Sequence, residues 1–391
     1  MYKIGIVGGC GHVGLPLGLA LASRGFEVCL IDINDEVIAK VNRGEIPFKE
    51  SGAEPILRKA LDDKVLSATK DMAKASFMNA VVFVTGTPVD EHLNPRISDV
   101  LNVVRLYEPY LKKEQLVILR STIFPGVFDV VDRMLQKSLG EEMKLAFCPE
   151  RIVQGKGVEE IFSLPQIIAA NSEAARKEAE NIFGKVAPKT IFVEPKEAEL
   201  AKLMTNSWRY LEFAIANQFY MMAEENGLDF YKILSALSED YPRARHFARA
   251  GFAAGPCLFK DTMQLSAFSN NKFFLGQAGM LVNEGLPNFV IERLEEKMGG
   301  CLKDKNIAIL GMTFKANNDD TRESLSFKVK KLLEFKMANV LVHDPYLDTE
   351  ALDGVLAKAD GIILGAPHDE YKDIKPSAPF VDCWNFWKSE Q

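Results

Sequence analysis

The sequence predicts an α/β protein in three parts: an N-terminal doubly wound parallel sheet, a helical connector, and a second, smaller α/β domain. Three observations predict this. Short β-rich runs alternate with amphipathic stretches as far as residue 193; the apolar period then changes to three and four; and the first rhythm returns from residue 306.

The first strand is expected at residues 3–7, a helix over 13–23, and further strands at 27–32, 80–85, 116–120 and 145–148. Beyond Val193, Leu200, Met204, Trp208, Leu211, Ile215, Phe219 and Met222 recur at helical spacing, which predicts one long helix with these residues as its apolar stripe. Pro195 suits its first turn, Glu197 and Glu199 complement its N-terminal dipole, and Asn226-Gly227 supplies a left-handed stop. Helical structure should continue to about Met298. Strands at 306–310, 339–343 and 361–364, with a helix over 326–335, then build the closing α/β part. The expected domains are 1–195, 196–300 and 301–391.

Composition limits the function. A chain of 391 residues, 47% of them apolar, can bury more than one core. A net charge of -7 gives no global attraction for nucleic acid or an anionic membrane, so a phosphate-bearing ligand must be held by local Lys, Arg and backbone N–H groups. No apolar run approaches membrane-spanning length, and no secretory pattern opens the chain. The six cysteines, at 10, 29, 148, 257, 301 and 383, are scattered, as suits reduced thiols in the cytoplasm and not a disulfide framework or metal site.

Gly9-x-Gly11-x-x-Gly14 follows the first strand and opens a helix, and Asp32 ends the second strand. In that setting the triplet marks a Rossmann-like dinucleotide site: glycines admit the pyrophosphate, and the helix N-terminus around His12, Val13 and Gly14 offers N–H donors. Asp32 favours NAD over NADP, because its charge repels a 2′-phosphate and Ile33 and Asn34 bring no arginine. The bland alternative for Asp32 is an ordinary strand-end carboxylate. Thr87 and Thr122, each past a later strand, complete the expected cofactor set.

The segment Gly251-Phe252-Ala253-Ala254-Gly255-Pro256-Cys257-Leu258-Phe259-Lys260-Asp261 combines a small-residue loop with a thiol, a cation and a carboxylate. A nearby ammonium lowers a thiol pKa from about 8.5 and raises its thiolate fraction. Taken alone, a free cysteine is more often a small buried hydrophobe.

At these motifs the chain resembles the UDP-glucose/GDP-mannose dehydrogenase family, whose loop reads Gly-Gly-x-Cys-x-x-Lys-Asp or a close variant. The resemblance extends through Val-Gly-Leu-Pro at 13–16, Arg120-Ser121-Thr122, Pro149-Glu150-Arg151, Glu199-Leu200-Ala201-Lys202 to Asn206, and Phe314-Lys315 to Asp320-x-Arg322-Glu323-Ser324. It implies a nucleotide-binding C-terminal domain and a homodimer formed through the connector, where Phe213 also lies outside the main stripe. By the same resemblance Cys257 is the nucleophile, Lys202 and Asn206 stabilise the oxyanion, Glu150 and Thr122 act as base and water-positioning groups, and Asp261 works beside the thiol. Arg151, Lys260, Lys315 and Arg322 are implied substrate contacts, and Arg243 one contributed by a partner subunit. Pro256 and Phe259 depart from the family loop, and Cys148 is a rival thiol.

The implied reaction oxidises the C6 alcohol of a UDP-sugar, UDP-glucose or a UDP-N-acetylhexosamine, to the uronate in two NAD-dependent steps through a thioester on Cys257. Two other readings stay open on sequence. One is a one-step dehydrogenase of the hydroxyacid or 6-phosphogluconate type; the other is a nucleotide-binding regulator without catalysis.

Overall fold

Within the first of two compact units, Met1–Met204, eight strands make one sheet in the order β3-β2-β1-β4-β5-β6-β7-β8. They are β1 (Lys3–Val7), β2 (Glu27–Ile31), β3 (Leu66–Thr69), β4 (Ala80–Phe83), β5 (Leu116–Leu119), β6 (Lys144–Phe147), β7 (Gln166–Ala170) and β8 (Thr190–Phe192). Neighbours run parallel except β6 and β7. The computed structural model describes residues 1–86, 89–90 and 95–387.

Helices cover both faces. Ile4 and Ile6 pack with Leu15, Leu19 and Ile182 on one side, while Val81, Val117 and Val131 fill the other. Burial on both faces explains why these strands are runs of Val, Ile and Leu without alternation. The strand order reverses at β1 and β4, which opens the crevice where α/β sheets take ligands. Asp32, Thr85, Arg120 and Cys148, read as strand residues, each fall just beyond the strand end. They therefore belong to the carboxyl edge.

The long helix Pro195–Glu225 continues from this unit into the second, Thr205–Gln391. Its apolar stripe is not its packing face. Met204, Trp208, Ile215, Phe219 and Met222 are between 45% and 62% exposed, whereas Leu203, Asn206, Tyr210, Ala214, Asn217 and Tyr220 are buried. The inward face is built from alanine, tyrosine and asparagine, which carry little weight in a hydrophobic period, so the periodicity picked out the outward one. Glu197 behaves as expected: its carboxylate accepts the Glu194 N–H at 2.9 Å, one half of a capping box. Glu199 does not serve its own helix. It accepts the N–H groups of Gly126 (2.6 Å) and Phe128 (2.9 Å), capping the separate helix Val127–Leu139.

In the second unit, helices Phe230–Ser238, Leu258–Phe268 and Phe274–Lys297 precede a parallel sheet of order β10-β9-β11-β12. Its strands are β9 (Asn306–Leu310), β10 (Asn339–His343), β11 (Gly361–Leu364) and β12 (Phe380–Val381). Tyr220, Phe230, Leu286 and Val290 of the helical section share one core with Ile307, Ile309 and Ile363 of the sheet.

The two sheets repeat one local device. Val7 pairs with Ile31 and Leu310 with His343, and the following glycine N–H, of Gly8 or Gly311, bonds the Ile31 or His343 carbonyl at 2.8 Å. The next residue on the second strand of each pair is an aspartate. Asp32 Oδ2 accepts the Cys10 N–H at 3.0 Å; Asp344 Oδ2 accepts those of Met312 (2.6 Å) and Thr313 (3.0 Å). Asp344 is sealed by His368, whose Nε2 stands 3.2 Å from the same oxygen, while Asp32 is only partly buried.

Candidate active site

The glycine loop of the first unit divides its labour as a dinucleotide site requires. A Cβ on Gly9 would lie 2.6 Å from the Ile6 carbonyl oxygen and 2.8 Å from Leu30 Cα, and one on Gly14 2.4 Å from the Gly8 carbonyl. These two glycines let strand, loop and helix touch. Gly11 is different, because its nearest neighbour, the Gly8 oxygen, is 3.7 Å away. Space beside a backbone N–H at a helix N-terminus is what a pyrophosphate needs. Val13 stands at the N-cap of the helix Gly14–Ser23, and the His12 ring packs 4.0 Å from that of Phe48. Asp32 holds the loop through Cys10 and also accepts the N–H of Ile33 at 2.8 Å. The residues present fit NAD. Thr87 lies outside the described residues.

Thr122 follows β5, where Ser121 Oγ accepts the Thr85 N–H at 2.7 Å and so joins the ends of two neighbouring strands. Glu150 is buried and fully engaged. One oxygen pairs with Arg120; the other accepts the N–H groups of Arg151 (2.6 Å) and Ile152 (2.8 Å). Arg120 in turn bonds the Cys148 carbonyl (3.1 Å) and Gln166 Oε1 (2.9 Å) and stacks over Phe183. This buried guanidinium is a residue that sequence reasoning quoted in a motif but gave no role. Arg151 donates to the Pro165 carbonyl, beside a small recess lined by Arg120, Glu150 and Gln166.

Lys202, only 7% exposed, and Asn206 occupy the inward face of the long helix one turn apart. Lysine is almost never buried to this degree unless its charge is paired. Asn206 Nδ2 donates to Asp261 Oδ2 at 2.6 Å, and both side chains are buried. The second Asp261 oxygen is 3.4 Å from the Lys260 ammonium.

Cys257 is exposed and caps the helix Leu258–Phe268, whose first turn carries Asp261. A helix N-terminus favours an anion, and so a thiolate. Cys148 is the opposite case: fully buried, with burial pushing its thiol up to about 12. The loop before Cys257 is held at Gly255. The Gly255 N–H donates to the Glu323 carbonyl at 3.2 Å, and a Cβ on Gly255 would meet the Phe314 ring at 2.6 Å. Arg322 grips Asp320 through Nη2 at 2.6 Å; that bond raises its pKa, and the Cys257 charge adds to the rise. Lys315, partly buried, follows Phe314 in the same segment.

Arg243 is not gathered with these groups within its own unit. It is exposed in the turn Pro242–Ala244 and donates to Tyr241 Oη at 3.4 Å. Two further buried amides take part: Asn217 bonds the backbone of Gly251, and Asn283 bonds Asn217. Asn283 is fully buried, bonded to Asn217 and to the Tyr210 carbonyl (3.0 Å), so its contacts are internal. The signal available for Asn283 was a lone amide inside a helix whose other inward residues are apolar or glycine.

A glycine loop at the switch point of a parallel sheet, and an exposed thiol at a helix N-terminus whose first turn carries a buried carboxylate bonded to an amide, define an NAD-dependent oxidoreductase with a candidate nucleophile. Comparison with known proteins gives the same class. Residues 2–187 match the NAD binding domain, 196–284 the central domain and 308–389 the UDP binding domain of the UDP-glucose/GDP-mannose dehydrogenase family, and the chain belongs to that family. It is 29% identical over 376 residues to the UDP-N-acetyl-D-mannosamine dehydrogenase of Pyrococcus horikoshii, covering 94% of this chain and 90% of that protein. With the NDP-N-acetyl-D-galactosaminuronic acid dehydrogenase of Ralstonia nicotianae it shares 27% identity over 98% and 96% of the two chains. The solved UDP-glucose dehydrogenase of Pyrobaculum islandicum superposes with a TM-score of 0.92 at 26% identity, covering 99% of this chain and 96% of that one. The protein is accordingly an NAD-dependent UDP-sugar dehydrogenase.

Proposed function

We propose that this enzyme oxidises a UDP-N-acetylhexosamine, UDP-N-acetylmannosamine first among them, at C6, with Cys257 as the covalent nucleophile. The single observation that carries the nucleophile assignment is the exposed Cys257 thiol at a helix N-terminus, one turn from the buried Asp261–Asn206 pair. The sugar assignment rests on similarity to dehydrogenases named for N-acetylated sugars.

Bound NAD supplies a hydride acceptor, once for the alcohol and once for the thiohemiacetal. Cys257 Sγ bonds to C6 of the aldehyde, and the resulting alkoxide takes a proton as the thiohemiacetal forms. Loss of the second hydride and that hydroxyl proton leaves a thioester. Water then attacks the carbonyl and the C–S bond breaks toward sulfur; one water proton goes to the sulfur and the other is released to solvent, leaving a carboxylate and the thiol. Lys202 and Asn206 would hold the negative oxygen at each addition, and Asp261 would orient the amide and the Lys260 ammonium. Thr122 would position water. Glu150, whose two oxygens are already bonded to Arg120 and to backbone N–H groups, would act by shaping this edge unless it releases one of them to serve as the base.

Lys260, Lys315, Arg322 and Arg151 would contact the nucleotide sugar, and Arg243 would do so from a partner subunit. The domain roles proposed are cofactor binding for 1–195, dimerisation for 196–300 and nucleotide binding for 301–391. A homodimer would cover the exposed Trp208, Ile215, Phe219 and Met222. Among the described residues no helix is long and apolar enough to cross a membrane, and no cluster of His, Cys, Asp and Glu could hold a metal ion; a cytoplasmic location suits the reduced cysteines.

The test is NADH yield from a panel of UDP-N-acetylmannosamine, UDP-N-acetylglucosamine, UDP-N-acetylgalactosamine, UDP-glucose and GDP-mannose. Two NADH per uronate from an N-acetylated sugar is expected. One NADH per turnover from every active substrate would sink the thioester route, and turnover of UDP-glucose alone would sink the sugar assignment.

A further inference from the structure

The long helix grips the nucleophile segment at two points. At one, Asn206 donates to Asp261 at 2.6 Å. At the other, Asn217 engages both main-chain polar groups of Gly251: Oδ1 accepts the Gly251 N–H at 2.8 Å and Nδ2 donates to the Gly251 carbonyl at 3.0 Å. Positions 206 and 217 are three turns apart on one buried face, a rise of roughly 16 Å, and residues 251–261 run back along it with Cys257 between the two grips.

Gly251 stands where no side chain could. Its φ is +154°, and a Cβ there would lie 2.1 Å from Trp384 Cζ3. A residue with so little steric definition of its own takes its orientation from whatever holds its N–H and carbonyl. Asn217 is itself oriented, because its Nδ2 also donates to Asn283 Oδ1 at 2.9 Å and Asn283 Nδ2 donates to the Tyr210 carbonyl at 3.0 Å. Both asparagines are fully buried, where an amide with one unmet bond costs more than an apolar side chain. A buried amide relay of this kind specifies a conformation.

We propose that Asn217 is a positioning residue for Cys257, with Asn283 fixing the Asn217 amide: the Asn217–Gly251 pairing sets where the loop begins and so where the thiol stands. This rests on Cys257 as nucleophile. It extends that assignment to two buried residues bonded to one another and to the protein backbone.

The experiment compares Asn217→Ala, Asn217→Asp and Asn283→Leu with the unmutated full-length enzyme. It reads kcat and KM with the active UDP-sugar, NAD affinity, and the pH profile of Cys257 alkylation by iodoacetamide followed on the Cys257 peptide. Asn217→Ala should lose roughly tenfold to a hundredfold in kcat, the scale of a displaced reacting group, with NAD affinity unchanged and the alkylation profile altered. Asn217→Asp keeps the acceptor for Gly251 N–H but turns its second oxygen against the Gly251 carbonyl and Asn283 Oδ1, so it should lose at least as much as Asn217→Ala. If Asn217→Ala does not fold, Asn283→Leu, which leaves both Gly251 bonds available, should show the same changes in smaller degree. Folded Asn217 and Asn283 variants with unaltered kcat and an unaltered alkylation profile would overturn the proposal. The alkylation comparison needs no substrate, so it decides this point even if no sugar in the panel yields two NADH and the thioester reading fails.

Discussion

Asn206 and Asp261, 55 positions apart in sequence, meet in a 2.6 Å hydrogen bond between buried side chains, one on the long helix and one on the first turn behind Cys257. The carboxylate shares its charge between that amide and Lys260. Asp261→Asn keeps the shape and removes the charge. Turnover should fall by roughly a hundredfold, in the range seen when an oxyanion-stabilising donor is lost or misplaced, while NAD binding persists. Stopped-flow NADH formation checks it, and full turnover by Asp261→Asn would remove the carboxylate from the mechanism.

Replacement of the thiols should separate the two candidates. Cys257→Ala is expected to lose about a thousandfold or more in uronate formation, equivalent to about 4 kcal/mol of transition-state stabilisation. Cys148→Ala, at a fully buried site, should cost stability and little turnover. Loss of activity in Cys148→Ala alone would reverse the assignment.

Cofactor choice hangs on Asp32. Its carboxylate stands at the β2 end, where it would accept from ribose hydroxyls and repel a 2′-phosphate. Titration should give tighter NAD than NADP binding, and Asp32→Ala should narrow the gap from the NAD side. Preference for NADP in the unmutated protein would contradict the assignment.

Trp208 is 62% exposed on the outward stripe of the long helix. Trp208→Glu places a charge in the proposed dimer interface and should shift sedimentation from twice the chain mass toward the chain mass. A strict monomer with full activity before any substitution would count against both the interface and Arg243 as a partner's contribution.

Asp344 predicts an acid weakness. Burial raises its pKa, but the His368 hydrogen bond and the Tyr346 and Met312 N–H groups outweigh that and hold the carboxyl below its ordinary value. A folded pKa below the unfolded one contributes stability above the unfolded carboxylate value of about 4, lost as pH falls through the folded value. Asp344→Asn should therefore be destabilised at pH 7, by about 1–3 kcal/mol for the donors left unmet, and show less further loss between pH 5 and pH 2. Thermal melts across that range check it; parallel curves for the two proteins would refute it.

Much of this architecture is legible in the sequence because local rules agree with the fold. Asn306–Leu310, Asn339–His343 and Gly361–Leu364 lie where apolar runs and turn residues put them. The glycine triplet and its strand context were equally plain. The face of the long helix was not, since Trp208 and Phe219 look like core residues until a chain's own core proves to be made of Tyr210, Ala214 and Asn217. Glu199 misled for a related reason: position near a helix start suggested a dipole role, but its bonds go to Gly126 and Phe128, over 70 positions away. Single-sequence patterns report neighbours along the chain, and these partners are distant ones.

The paired aspartates at the ends of β2 and β10 carry a lesson for redesign. The same strand pairing, glycine turn and acceptor carboxylate occur twice, and His368 accounts for why only one carboxylate remains partly open. Converting the second sheet into a dinucleotide receptor would begin by clearing that imidazole and giving Asp344 a view of solvent, before any glycine is rewritten.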